Sequence, residues 1–366
     1  MLYITLVVYA IAALLLIIYR KKFHIQDKIF LITKTKFGLK TMKKLGSSRW
    51  VKVYSNIGVV ATLIAMGYGM WWLFDYLIRV LTQPGTPAGA TLVIPGVTIP
   101  LIEGIIAIVI LAIVHEGSHG AVAESEGVKV KSSGFGFLAF LPILPLAFVE
   151  MDEKSLNRVG KLSRIRILSA GSWANLLTAG AFMLLFVLFG IASQGAYGTH
   201  IISEGVQVLE ITGYPLNSTD ITINESIISI DNVTIHNMSA FVKFMQNVEP
   251  NQTLNIRTNK GEYTLTLKDG KLNGVFGPVV YKEDLIGSLV SFIGRLLKWI
   301  VLLNIAVGIV NAMPVLWITD GCRILHDLLS YITNDKIKIV LTHIIISLTT
   351  TSLLYIMIVP RIMGGT

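Results

Sequence analysis

The sequence is nearly without cysteine and poor in charge. Cys322 is the single cysteine among 366 residues. That excludes an internal disulfide framework and any cysteine-rich zinc knuckle, so a bound metal would have to rest on histidine and carboxylate ligands. Charged residues make up 14% of the chain against 53% hydrophobic ones, beyond what a water-soluble core uses. Acidic residues are the scarcer sign, which leaves a net charge of +9. Such an excess would suit nucleic acid, but the Lys and Arg gather beside apolar runs, where they orient a chain in a bilayer. No nucleic-acid partner is expected.

What is abundant is apolar sequence in blocks long enough to cross roughly 30 Å of hydrocarbon. The blocks run from about Leu2 to Tyr19, Asn56 to Ile78, Leu101 to Ala123, Ile167 to Ala192, Leu285 to Met313 and Ile339 to Val359. They predict a polytopic α-helical membrane protein with about six transmembrane helices. The first block lacks a preceding basic residue and a small-residue cleavage pattern, and it ends in Arg20-Lys21-Lys22, so it reads as a signal anchor. The loop from Arg20 to Lys52 carries nine basic residues beyond Arg20 and Lys52 themselves against one acid, Asp27, which assigns it to the cytoplasm. Alternation then puts the N-terminus and the region Ser193 to Asp284 outside. All five N-x-[ST] sequons (Asn217, Asn224, Asn232, Asn237 and Asn251) fall in that one region, in agreement, although Asn-rich turns also generate such triplets by chance.

From about Gly195 to Tyr281 the pattern changes to period two. Thr253 to Arg257 and Tyr263 to Leu267 alternate around Asn259-Lys260-Gly261 and predict a hairpin. Ile227 to Ile230 predicts another strand, and Ser239 to Gln246 a short helix. This order resembles a PDZ-like domain, which would take a peptide by strand addition or serve as a lid. The apolar stretch Ser132 to Val149 is broken by Gly134, Gly136, Pro142 and Pro145. It predicts a re-entrant or membrane-dipping loop, tolerated at that depth only if protein or a wet cavity satisfies its backbone.

The third block contains His115-Glu116-Gly117-Ser118-His119, the pattern H-E-x-x-H. Imidazoles four residues apart share one helix face and can reach one tetrahedral zinc ion, with Glu116 beside them to hold a water. Two His and a Glu inside an apolar span are costly unless they pair, bind a metal or line a cavity. A third ligand must come from elsewhere, and Asp320, at the inner end of the fifth block, is the best candidate. His115 lies roughly 20 Å from the outer start of its helix, in the cytoplasmic half where Asp320 also falls. An Asp-Gly helix-ending turn is the plain alternative for Asp320. His24 and His326 fall in interfacial or cytoplasmic segments and His200 and His236 outside, while His343 stands alone in the last block without a carboxylate at ligand spacing, so each reads as a surface or helix-packing residue.

At these residues the chain resembles the site-2 protease family of intramembrane metalloproteases. The likeness spans about Leu101 to Val359: the H-E-x-x-H helix, the Gly/Pro-broken segment ending Ala147-Phe148-Val149-Glu150, the span opening Ser169-Ala170-Gly171-Ser172-Trp173-Ala174-Asn175, the outside insertion and the helix ending in Asp320-Gly321. It implies zinc held by His115, His119 and Asp320, and Glu116 as general base. It also implies that Asn311 holds the substrate backbone, with Asn304 as the weaker alternative, and that a β-like segment around Gly134, Phe135 and Gly136 to Phe140 presents an unwound substrate. The family usually places four residues between the Pro and the ligand Asp, whereas five separate Pro314 from Asp320, which calls for a local bulge.

The expected organisation is a two-span region with its basic loop over 1–100, a first part of the membrane core over 101–192, the PDZ-like extracytoplasmic domain over 195–281, and the second part of the core over 285–366. The expected activity is hydrolysis of peptide bonds within transmembrane segments of membrane-anchored proteins, at a site nearer the cytoplasmic side. The expected partners are those substrates, the lipid bilayer and a peptide ligand of the PDZ-like domain. The rival from another class is a receptor or scaffold with a structural metal and a peptide-binding domain. A transporter would show paired repeats with matching broken helices, and none is evident.

Overall fold

The computed structural model describes residues 2–18, 24–26, 30–83, 85–138, 141–202, 205–278, 282–283 and 285–362. Its contacts divide into two compact units, residues 1–187 with 295–366, and residues 188–294.

The chain opens with α1 (Leu2–Ile18), an apolar helix of 17 residues. After two short strands and the helix α2 (Leu39–Gly46) come α3 (Trp50–Thr82), α4 (Leu101–Ser125), α5 (Glu153–Arg158) and α6 (Lys161–His200). The later helices are α7 (Met238–Met245), α8 (Leu285–Ala312), α9 (Asp320–Leu329) and α10 (Asp335–Ile362). Among the described residues, five helices are long and apolar enough to cross a bilayer: α3, α4, the Lys161–Ser193 part of α6, α8 and α10. A helix closes its backbone hydrogen bonds within itself, which is what a segment surrounded by hydrocarbon requires. α3 begins six residues before the predicted start at Asn56, taking in Lys52, whose stem can lie along apolar surface while its ammonium reaches polar surroundings.

Residues 130–151 are more regular than expected. They form a hairpin of β3 (Val130–Leu138) and β4 (Leu141–Met151), with 139–140 outside the described residues. Two further strands, β1 (His24–Gln26) and β2 (Phe30–Thr35), come from the basic segment for which the sequence predicts no strand, and the sheet runs β1-β2-β3-β4. The glycines that argue against a helix here serve the sheet. Lys34 pairs with Gly134 and Ile32 with Gly136. A side chain at 134 would strike the Thr33 carbonyl and the Phe148 ring. Pro142 and Pro145 are tolerated because β4 is an edge strand. α2 then lies on α4, its Gly46 against the Ala121 carbonyl and its Met42 against Gly120.

The second unit is the β-rich one. Its main sheet runs β10 (Glu262–Leu267), β9 (Gln252–Thr258), β7 (Ser226–Ile230), β6 (Val206–Ile211), β11 (Gly274–Pro278), with β8 (Val233–Thr234) on β7. β5 (Ile201–Ile202) and β12 (Lys282–Glu283) pair separately. The predicted hairpin is present as β9 and β10, closing at Arg257 opposite Glu262. Alternate residues Leu254, Ile256, Leu265 and Leu267 are buried with Ile227, Ile230 and Phe241 in one apolar core. Four of the five sequon asparagines answer a backbone demand. Asn224, Asn232 and Asn251 adopt φ of 69°, 63° and 62°, where Asn is favoured over other side chains. Asn237 caps α7 by accepting the Ala240 N–H at 2.9 Å.

Candidate metal centre

Three donor atoms from two distant stretches of sequence converge in the membrane unit. On α4, His115 and His119 are one turn apart, and their Nε2 atoms lie 3.1 Å from each other. Asp320 Oδ2 is 3.3 Å from His115 Nε2 and 3.2 Å from His119 Nε2. Among the described residues this is the one group of three or more His, Cys, Asp or Glu able to hold an ion. Metal–ligand bonds of about 2.0–2.1 Å in a tetrahedron put neighbouring donors about 3.3 Å apart. The triangle formed by these three atoms has that size. The set also matches zinc chemically, with two imidazoles, one carboxylate and room for a fourth ligand.

The imidazoles are held from behind. His119 Nδ1 lies 2.7 Å from the Ile167 carbonyl, an atom that can only accept. Nδ1 therefore carries a proton, which leaves Nε2 as the nitrogen that faces the donor cluster and would ligate a metal. His115 Nδ1 lies 3.0 Å from the Asn175 carboxamide. Both partners come from α6, as does Gly171. A side chain there would meet His115 Cε1 at 2.5 Å and His115 Nε2 at 2.6 Å, and His119 Nε2 closer still. The α6 stretch from Ile167 to Asn175 is therefore the floor on which both imidazoles rest. Nothing in the motif pattern gives Gly171 or Asn175 a task. The signal was there: three polar side chains, Ser169, Ser172 and Asn175, all buried within an otherwise apolar span.

Asp320 is the first residue of α9. Its helix is pinned by Arg164, which donates from Nε and Nη2 to the two Asp327 carboxylate oxygens at 3.0 and 2.8 Å. Gly321 sits where a Cβ would run into the Ala312 and Met313 carbonyls. The extra residue before Asp320 is absorbed in an outward turn. Leu316 and Trp317 both take left-handed φ, 57° and 60°, and with Ile318 they are exposed, while Val315 and Thr319 stay buried. Thr319 Oγ1 donates to the Met313 carbonyl at 2.6 Å, the Thr350 hydroxyl accepts the Leu316 N–H at 2.8 Å, and the Trp317 ring lies 4.6 Å from that of His343. The predicted bulge is this turn, and it leaves Asp320 facing the histidines.

Glu116 is half-buried and points into a cavity of about 680 Å³. Gly134 and Phe135 line it from β3, Ala147 to Val149 from β4, and Met42 and Leu45 from α2. Tyr54 of α3 lines it too, its hydroxyl 2.7 Å from that of Ser118. Gly136 belongs to β3 but is not in the lining. Asn311 is half-buried at the penultimate position of α8, outside the three-donor cluster. Asn304 is buried, and its Nδ2 donates to the Ile300 carbonyl at 2.8 Å. At the far end of the sheet, Lys34 of β2 pairs with Glu150 of β4 at 2.9 Å, which with the Ser132 hydroxyl holds the Glu150 carboxyl below its ordinary range.

Two comparisons with known proteins bear on the family of this chain. The chain is 31% identical over 296 residues to the uncharacterized protein MJ0971 of Methanocaldococcus jannaschii, an alignment covering 78% of this chain and 74% of the relative. Residues 103–356, well over half of the chain, match peptidase family M50. That span runs from the first turn of α4 to the last turns of α10 and contains all three donors, Glu116, the β3–β4 hairpin and the α6 floor. The chain is therefore an integral membrane protein belonging to peptidase family M50, the site-2 protease family.

Proposed function

We propose that this protein is a zinc-dependent endopeptidase that cuts membrane-anchored proteins within or beside their transmembrane segments. The observation that carries this reading is the 3.1–3.3 Å triangle of His115, His119 and Asp320 with Glu116 next to it on the same helix. His115, His119 and Asp320 hold the metal, which when bound supplies Lewis acidity to a water and to the scissile carbonyl. Glu116 accepts the proton of the attacking water and delivers it to the leaving amine nitrogen. The substrate segment must unwind before it is cut, because an intact helix keeps its carbonyls in hydrogen bonds. The open edge of β4 offers that segment a partner. Ala147 to Val149 are the part of β4 that lines the cavity beside Glu116, so strand addition there would bring a substrate backbone next to it. Asn311 is assigned to the substrate backbone on family resemblance.

The positive-inside rule sets the basic segment before α3 in the cytoplasm and the β-rich unit outside. That unit is read as PDZ-like, a receptor for a peptide of the substrate or a lid.

The test is Glu116→Gln in the full-length protein purified in detergent or nanodiscs, assayed on a single-span substrate. The variant keeps one zinc per chain and loses cleavage by at least about 10²–10⁴-fold. Undiminished cleavage, or a wild type that holds no zinc, would overturn the reading.

A further inference from the structure

The lysines around the first sheet fall into two groups. Lys34 is paired with Glu150 at 2.9 Å and Lys131 with Asp152 at 2.7 Å. Those of α2 are exposed, and among the described residues no carboxylate stands within ion-pair distance of Lys40, Lys43 or Lys44. At 3.6 residues per turn the three fall within about 100° of the helix circumference. Leu39 and Met42 face the other way, packed with Val51 and Tyr54 against the apolar cluster around Val122 and Ala123, and Gly46 closes on the Ala121 carbonyl. Thr41, Met42 and Leu45 line the cavity that Glu116 faces. One side of α2 is thus a chamber wall, and the other is a strip of unpaired ammonium groups.

The level of this strip follows from the helices it touches. Its contacts at Gly120 and Ala121 come just before the apolar block of α4 ends at Ala123, and α3, which begins at Trp50, turns apolar only from Asn56. α2 therefore lies where hydrocarbon gives way to headgroups. Trp50 suits that level, being 65% exposed with Arg49 Cζ 5.5 Å from its ring centroid. Lysines on the free side of an amphipathic helix at this depth match phosphate-bearing headgroups, whose oxygens accept charge-assisted hydrogen bonds from ammonium groups.

We propose that the lysine face of α2 is a site for acidic phospholipid, and that lipid seated there fixes α2 as a wall of the chamber. The bearing of that wall on cleavage rests on the proposed function, whereas the binding does not.

The experiment follows amide exchange over residues 39–46 of the full-length protein, in nanodiscs of phosphatidylcholine alone and of phosphatidylcholine mixed with phosphatidylglycerol. Exchange should be slower in the mixed discs by up to roughly 100-fold, about fivefold for each of the three lysines. The gain should vanish in the triple variant Lys40→Gln, Lys43→Gln, Lys44→Gln, survive when the same three lysines are replaced by arginine, and shrink in high salt. Both variants are first matched to wild type in melting temperature. Equal exchange of the wild type in the two discs, a gain that persists in the Gln variant, or the same gain from inorganic phosphate in neutral discs would overturn the proposal. The readout requires neither zinc nor cleavage, so failure of the proposed function would leave the lipid site standing.

Discussion

The two units treat buried polar groups in opposite ways. In the β-rich unit the core is apolar, and its buried carboxylate, Glu225, is met from several sides, by the Thr258 hydroxyl at 2.5 Å, the Thr222 N–H at 3.0 Å and the Thr222 hydroxyl at 3.1 Å. In the membrane unit six buried side-chain atoms lack a partner among the described residues: Ser169 Oγ, Ser172 Oγ, Trp173 Nε1, Asn175 Oδ1, Asn304 Oδ1 and Thr342 Oγ1. Four of these six belong to the short α6 run beneath the histidines. A buried polar atom without a partner costs about 1–3 kcal/mol, so the membrane unit concentrates that cost around its chemistry, while the β-rich unit avoids it. One unit is arranged for stability and the other for a reaction.

The contrast can be broken first at Gly171. Replacing it with Ala puts a methyl group onto both Nε2 atoms, so zinc stoichiometry should fall close to zero and cleavage with it, while the β-rich unit keeps its amide-exchange protection. Retained zinc would show that the α6 floor yields more easily than the contacts imply. Next comes the anchor of α9. Arg164→Ala strands Asp327, which is 6% exposed, and should lower stability by roughly 3–5 kcal/mol, read as a fall in melting temperature together with weaker zinc binding. A loss of stability with unchanged zinc affinity would separate the anchor from the site.

A smaller effect belongs to the β-rich unit. Burial alone would raise the Glu225 pKa, but the hydrogen bonds from Thr258, Thr222 and Tyr263 outweigh it and hold the carboxyl below its ordinary range. A carboxylate depressed in the folded state contributes stability that is present above its unfolded pKa and is lost as pH falls through the folded value. Amide-exchange protection of β7 and β9 should therefore weaken on acidification below the ordinary glutamate range. Glu225→Gln should flatten that dependence and cost about 1–2 kcal/mol at neutral pH. A dependence unchanged by the substitution would point to another group. The smallest effect is at Leu316, where Gly relieves a left-handed backbone and should stabilise by about 1 kcal/mol with cleavage intact. Lost cleavage would tie the strained turn to the reaction.

Some of this was legible in the sequence, for physical reasons. The spacing of His115 and His119 fixes a shared helix face, so those residues could be named from the chain alone, and Asp320 followed from its place at the same depth of the membrane, at the inner end of the fifth block, with the family resemblance in agreement. Period-two alternation made β9 and β10 readable, because each faces one core. The β2 strand was not readable, since its pairing partner lies nearly a hundred residues away and its lysines look like an ordinary cytoplasmic loop. Glycine and proline argue against a helix at 132–149, yet the same residues suit an edge hairpin, and periodicity does not distinguish that from an irregular loop. Asn175 and Gly171 escaped because their value comes from what they touch, two imidazoles on another helix.

The match to peptidase family M50 begins at residue 103, yet Phe37, Met42, Leu45 and Tyr54 already form one side of the chamber that Glu116 faces. A fragment trimmed to the family boundary would keep every metal donor while losing β2 and opening that chamber toward lipid. The first fifty-odd residues are thus masonry, and whichever substrates this protein accepts must suit a wall supplied by sequence that lies before the span matched to the family.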